Sequence, residues 1–287
     1  MLAIGLGCLS ALFFGAMSVA LRVALDRDGD VELATVVTVL AAFAVAVVFA
    51  AAEAPTRGVH AGAAWPFLLA GLLQPGIGQL LVTLAIREAG AARASVILGA
   101  APLTAVTIAL IFLGEPARWP LLVGAVLIVV GGIELARDRA RPAHVRRRGY
   151  LYAFIVTILL GVRDNLTRWL AGTTPVPPAV AAASCLAGAV VLIVVVLGPR
   201  VQHRLALRRV LPYLAIGVLF GGSYIALFEA YYRGRVTVVS PIVATESLWG
   251  VLLSLLLIRH TELVGRRVVF GALLVVAGSG LIGAYAG

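Results

Sequence analysis

Charge is scarce in this chain, and lysine is absent altogether. Only 13% of its 287 residues are charged, against about 25% in soluble domains. Every one of the 23 basic side chains other than histidine is an arginine. Apolar residues make up 62% of the sequence, where a soluble domain holds about 45–50%, and the mean hydropathy is +1.06. A bilayer is therefore the first solvent to consider. The arginine-only usage, with abundant Ala, Val and Gly, points to a GC-rich bacterial genome. Cysteine is nearly absent: Cys8 and Cys185 both fall in apolar segments and offer neither a disulfide framework nor zinc spacing. His60, His144, His203 and His260 lie between apolar segments without metal-ligand spacing, and no phosphate-binding Gly-Lys-Ser/Thr motif occurs. No cofactor, metal or enzyme chemistry is implied. The net charge of +10 would suggest nucleic acid in a soluble protein. Here no aromatic-interleaved basic patch exists and the arginines sit between apolar runs, so no nucleic-acid partner is expected. Met1–Ala24 lacks the basic start of a signal peptide and is followed by many further apolar runs.

What the chain does have is long apolar segments. A membrane span needs roughly 17–25 mostly apolar residues. Ten segments approach this: Leu2–Val23, Leu33–Ala52, Trp65–Ile86, Ala94–Leu113, Leu121–Leu135, Tyr150–Leu170, Ala179–Leu197, Val210–Tyr231, Val236–Ile258 and Val268–Ala286. None alternates as a barrel strand does, so all are expected to be helices. The expected fold is an all-α integral membrane protein of ten transmembrane helices.

The longest hydrophilic stretch, "RDRARPAHVRRRG" at Arg137–Gly149, divides the ten segments five and five. The expected organisation is a first repeat over 1–137, an Arg-rich linker over 138–149 and a second repeat over 150–287. Gly15, Arg22 and Gly71 recur as Gly161, Arg168 and Gly217, an offset of 146. Glu115, Gly124 and Gly131 recur as Glu262, Gly271 and Gly278, an offset of 147. Because five is odd, the second repeat must enter the membrane inverted relative to the first. That is a design of secondary transporters, whose site lies near the midplane between the halves.

"ASVILGAAPLTAVTIALIFLGEPARWPLLVGAVLIVVGG" (Ala94–Gly132) resembles the end of a repeat from the EamA-type branch of the drug/metabolite transporter superfamily. It has a helix with a central proline, then Leu-Gly-Glu, then a Gly-rich last helix. "SPIVATESLWGVLLSLLLIRHTELVGRRVVFGALLVVAGSG" (Ser240–Gly280) is the second copy, with Ile258-Arg259-His260-Thr261-Glu262 in place of Leu-Gly-Glu. Phe14-Gly15 stands where the family often has Trp-Gly, and Arg22 where it often has a basic residue. The resemblance implies a transporter, with efflux of amino acids or similar solutes, and is nearly silent on the substrate.

Seventeen arginines lie on the side of the loops that follow the odd-numbered segments, and Arg57, Arg118, Arg233 and Arg235 on the other. The positive-inside rule then puts the linker in the cytoplasm of a bacterial inner-membrane protein and both termini outside. The family resemblance implies cytoplasmic termini, so the two indications disagree.

"RDN" at Arg163–Asn165 interrupts the sixth segment about 3–5 Å from its middle. A charge there costs at least about 2.5–3.5 kcal/mol and marks a candidate functional site. Asp164 faces Arg168 at i, i+4 and not its neighbour Arg163, so an Asp164–Arg168 pair is the structural expectation. The partner expected for Arg163 is Glu246, in "ATESLWG" at the middle of the ninth segment beside Trp249. Arg163 would hold a solute carboxylate and Glu246 an amine or a coupled proton, which suits a zwitterion. Asn165, Gln79 and Tyr224 would orient it, with Gln74, Asp164 and Trp249 nearby. "QPGIGQ" at Gln74–Gln79 invites a kink that frees backbone carbonyls. Tyr231 and Tyr232 fit an aromatic belt, and Glu229–Arg233 an ordinary i, i+4 pair. The Gly124/Gly131 and Gly271/Gly278 stripes signal close packing, within the chain or in a homodimer through the fifth and tenth helices. The expected function is an exporter of small organic metabolites such as amino acids. The alternatives are a proton-coupled exporter of hydrophobic cations and a non-transporting scaffold or lipid-binding protein.

Overall fold

Outside this protein is greasy, and its mostly apolar interior also holds a small set of polar side chains. Val48 and Phe49, Val191 and Val195, Val218, Leu273 and Val276 all project outward, whereas Ser10, Thr157, Arg163, Asp164, Asn165 and Ser223 are buried. The computed structural model describes residues 1–25, 30–89, 94, 97–136, 147–257 and 266–285, and among these it is helical with no strand. The helices are α1 (Leu2–Leu25), α2 (Val31–Arg57), α3 (Trp65–Gly71), α4 (Gly78–Ala89), α5 (Ala101–Phe112), α6 (Trp119–Ala136), α7 (Arg147–Thr173), α8 (Pro178–Val201), α9 (Leu207–Arg233), α10 (Val236–Val243), α11 (Glu246–Leu257) and α12 (Arg266–Tyr285). A π-helical turn, Leu72–Ile77, joins α3 to α4.

Seven helical runs are long and apolar enough to cross a bilayer: α1, α2, α3–α4, α7, α8, α9 and α10–α11. The other three expected segments appear as shorter apolar helices, Ala101–Phe112, Trp119–Glu134 and Val269–Ile282. The first is cut short by the turn at Gly99–Ala100, and the other two border residues outside the described set; the described residues carry seven full spans. The linker from 137 to 146, with His144 and Arg146, and the stretch 258–265, with His260 and Glu262, also lie outside the described residues, as does the side chain of Arg22.

The two halves exchange packing partners. α1 lies on α9 as α7 lies on α4; α2 lies on α9 as α8 lies on α3 and the π turn; α1 lies on α11 as α7 lies on α5. α2 meets its own counterpart α8, and α6 meets α12. The recurring glycines are the contact points of this exchange. A Cβ on Gly15 would come within 2.8 Å of the Gly250 nitrogen, and one on Gly161 within 3.1 Å of the Ala105 nitrogen. A Cβ on Gly131 would meet the Gly271 carbonyl at 2.6 Å, and one on Gly278 the Gly124 carbonyl at 2.6 Å. These glycines meet between the fifth and tenth expected segments within the chain.

Helix ends are tied into two sets. At one face Arg204 bridges Asp30 (2.6 Å) and Glu32 (3.4 Å), and Arg200 reaches Glu32 (3.5 Å). At the other face Glu115 accepts from the Val236 and Thr237 amides at 2.8 and 2.9 Å. There too Arg57 pairs with Glu229 at 3.7 Å, and Arg118 donates to the Tyr285 carbonyl at 3.4 Å. Glu229 also pairs with Arg233, as its spacing predicts. These are the Arg204 face and the Glu115 face below. Glu115 explains its own motif. Gly114 sits at φ +61° in the left-handed region, turning Glu115 onto free amides at the start of α10, where a carboxylate also meets the positive helix end.

Asp30 caps α2 by accepting from the Leu33 amide at 3.1 Å. Burial pushes its carboxyl up, but hydrogen bonds from Arg204 and Leu33 and the Arg204 charge outweigh that, and it titrates below its ordinary value. A group depressed in the fold adds stability above its unfolded value of about 3.9, lost as pH falls through the folded value. Asp30→Asn keeps the cap and removes the charge. It should cost about 0.5–1 kcal/mol at neutral pH, and the gap from wild type in melting experiments in detergent should close below about pH 4.

Candidate functional site

α7 brings its three polar residues inward rather than to lipid. Arg163, Asp164 and Asn165 are each 5–6% exposed. The guanidinium of Arg163 donates from Nε (2.9 Å) and Nη2 (2.6 Å) to Oδ1 of Asp164, and from Nη1 (3.0 Å) to the Tyr224 hydroxyl. Ser240 on α10 donates to the other oxygen of Asp164 at 3.2 Å. Neighbouring helical residues point about 100° apart, and the long Arg163 side chain spans that gap. The expected Asp164–Arg168 pair does not form. Arg168 donates instead to the Tyr231 and Tyr232 carbonyls at 3.0 and 3.4 Å, groups of the last turn of α9 that have no helical partner.

Tyr224 stands in an aromatic cluster. It packs edge-on to Phe220 (4.9 Å) and Phe14 (6.1 Å) and stacks on Phe228 (6.0 Å). Asn165, the single asparagine of the chain, clamps α7 to α5 by donating to the Ala105 carbonyl at 2.9 Å and to Gly161 at 2.8 Å. Its Oδ1 is buried without a partner. Tyr231 is buried beside Asp164 and Ser240 rather than in a lipid-facing belt, and its hydroxyl makes no well-aligned hydrogen bond. Tyr232 donates to the Val176 carbonyl at 2.8 Å.

Glu246 is the exception to burial. The ninth segment breaks at Ala244–Thr245, and Glu246 opens α11. The fourth segment breaks at the matching place, the turn Gly99–Ala100 before α5. Paired broken helices are where transporters of inverted-repeat design bind ions and solutes. The Glu246 side chain is ringed by protein yet reachable by solvent, as a group lining a cleft would be. Arg163 acts on it through charge alone. No ion pair or hydrogen bond joins the Glu246 side chain to a described residue, so the expected Arg163–Glu246 pair is absent because Asp164 has taken its place. Trp249, one turn on, lies against Gly15.

The third segment does kink. Gln74 adopts extended angles (φ −146°, ψ 115°) before Pro75, and its freed carbonyl accepts from the Cys185 thiol at 3.6 Å. The Gln74 side chain is buried, folded back toward Gly78, with its Oε1 unpartnered. Gln79 is half-buried, and its carbonyl accepts from Thr83 at 3.0 Å; no described hydrogen bond joins its side chain to the Arg163 cluster. The residues not anticipated from sequence are Ser240, Thr167 and Thr237. A signal for the helix break was present: Pro241 followed by Thr245-Glu246 reads as a helix stop and a new N-terminus.

The profile of the EamA-like transporter family matches residues 1–135 and again residues 147–284. This chain belongs to that family. Its members are transporters rather than enzymes, and the two matches correspond to the two halves that exchange packing partners. A solved structure described only as "Crystal structure of protein" shares the fold with a TM-score of 0.79 at 21% identity, over 99% of this chain and 97% of that one. A search of curated proteins returns no match.

In this EamA-like protein the Arg163–Asp164 pair is a buried ion pair whose halves need each other. Asp164→Asn should cost about 3–5 kcal/mol by stranding the guanidinium, whereas Arg163→Leu with Asp164→Leu should recover most of that loss. Unfolding in lipid–detergent micelles measures both; equal losses would mean the charges stabilise nothing through each other.

Proposed function

We propose that this chain is a secondary transporter that exports small organic metabolites bearing an amine, amino acids among them, across a bacterial inner membrane. Ten spans, as two inverted five-helix repeats, would rock about a central site. The exchange of packing partners and the sorting of helix ends into two faces support this arrangement. The arginine excess favours the Arg204 face as cytoplasmic.

One observation carries the reading: Glu246 is a solvent-reachable carboxylate at a helix break within the bundle, without an ion-pair or hydrogen-bond partner among the described residues. Asp164 cancels the charge of Arg163, so the described charges at this level leave one negative charge over. A solute amine would supply the missing positive charge. Among the described residues three of the five Arg163 N–H groups are engaged, which would leave donors for a solute carboxylate. Trp249, Tyr224, Asn165, Gln74 and Gln79 would shape the path around these two ends.

A second reading is an exporter of hydrophobic cations coupled to a proton at Glu246. The prior engagement of Arg163 by Asp164 favours it, because a cation needs no guanidinium. A scaffold or lipid-binding protein would carry no flux at all.

Counterflow of labelled amino acids and of hydrophobic cations into proteoliposomes separates these readings. Glu246→Gln should reduce flux about tenfold or more, the worth of one charged hydrogen bond. Amino-acid flux that also falls in Arg163→Gln supports the zwitterion carrier. Flux of cations alone, indifferent to Arg163→Gln, supports the second reading. Full flux in Glu246→Gln would remove Glu246 from the site.

A further inference from the structure

Solvent reaches Glu246, yet the way to it along α10 from the Glu115 face is shut. Val236, Thr237, Val238, Val239, Ser240 and Ile242 of α10 are each at most 5% exposed. The helix packs against α1, α5, α6, α7, α9 and α12, and so plugs that side of the bundle. It is also a short rod between two interruptions. It follows the extended residues Gly234 and Arg235 and ends at the Ala244–Thr245 break. What holds its outer end comes from the other half of the chain: the Val236 and Thr237 amides donate to the two oxygens of Glu115 at 2.8 and 2.9 Å. The Arg57–Glu229 pair and the bond from the Ala179 amide to Glu53 (3.4 Å) also cross between the halves at this face.

We propose that Glu115 is a latch. Holding the first turn of α10 keeps the protein closed at the Glu115 face, and letting go frees α10 to swing aside when the site opens to that face. The inference rests on the alternating access proposed above. Two features suit this bond to repeated breaking. Glu115 is half-buried between exposed Gly114 and Pro116, and the amides it holds are the orphans of a helix start, so both partners turn to solvent on release. The contacts of Asp164 are buried on both sides, and breaking them would strand the groups. α10 also connects the latch with the site. Ser240 in its middle donates to Asp164 at 3.2 Å, and Glu246 begins the helix beyond its inner end.

Thiol labelling of the full chain in lipid nanodiscs tests this, with Cys8→Ala and Cys185→Ser to clear the background. Thr237→Cys puts a probe behind the latch, where the native hydroxyl has no hydrogen-bond partner among the described residues. Ala182→Cys puts a second probe in α8 near the same face, at a position 0% exposed. Glu115→Gln removes the charge and one of the two acceptor oxygens. With a water-soluble maleimide it should speed labelling of Thr237→Cys about tenfold, the worth of one charged hydrogen bond, and leave Ala182→Cys as slow as before. An unchanged rate at Thr237→Cys would overturn the latch. Equal acceleration at both probes would also overturn it, because the variant would then loosen the bundle rather than open one face. Labelling needs no transported solute. If no amino acid counterflows and Thr237→Cys alone responds, the solute reading falls and the latch stands.

Discussion

A guanidinium cannot remain inside an apolar bundle without an anion in contact, and in this protein the anion is the next residue in the chain. The consequences spread outward from that pair. Because Asp164 spends one oxygen on Arg163, the other must find a donor, and Ser240 brings α10 to it. Because Arg163 reaches past Asp164 to Tyr224, α9 is drawn against α7 with its aromatic cluster. Asn165 then fixes α5 on the far side. Four helices are held in register by three consecutive residues, and the charges are neutral as a group before any solute arrives. A pair of this kind adds little net stability compared with apolar packing. Its retention in so hydrophobic a sequence is better explained by what it positions than by what it stabilises.

Small residues do the complementary work. Helices in lipid gain nothing from hiding apolar surface, so they associate by close contact of backbones. The glycines that recur between the halves are those contact points: Gly15 and Gly161 seat α1 on α11 and α7 on α5, while Gly124 and Gly131 meet Gly278 and Gly271. The first pair matters most for the site. Gly15 lets α1 lie directly against the turn that begins at Glu246, so the break in the ninth segment has a wall beside it where its freed backbone can be sheltered.

The sequence is legible where its signals are repeated or extreme. Long apolar runs mark the spans, and a constant offset between glycines marks the halves. Arg163 stands out because a charge in the middle of an apolar run has few innocent explanations. Pairing is less legible. Helical spacing favours Asp164 with Arg168, and that rule concerns short reaches along one helix surface; a long arginine inside a bundle ignores it, and the unpaired carbonyls at the end of α9 attract Arg168 instead. Glu246 was identifiable by depth, but its freedom from Arg163 depends on Asp164 being nearer, a competition that spacing along the chain does not encode. Ser240 is not picked out because hydroxyls in apolar helices are common and usually bond to their own backbone; what sets it apart is the Asp164 carboxylate across the interface.

This competition for Arg163 also bears on what the protein can carry. A site with one free positive and one free negative group would take a zwitterion at no change in total charge. The site proposed above has its positive group already engaged by Asp164, which leaves the Glu246 carboxyl without a partner among the described residues. A pure cation neutralises it directly. A zwitterion neutralises Glu246 but brings a second carboxylate to a guanidinium that already has one, and so requires that something positive arrive with it. If Arg163 and Glu246 line the solute path as proposed, the arrangement would make an amine the minimal requirement of the solute, and a carboxylate on that solute the feature that would call for coupled transport.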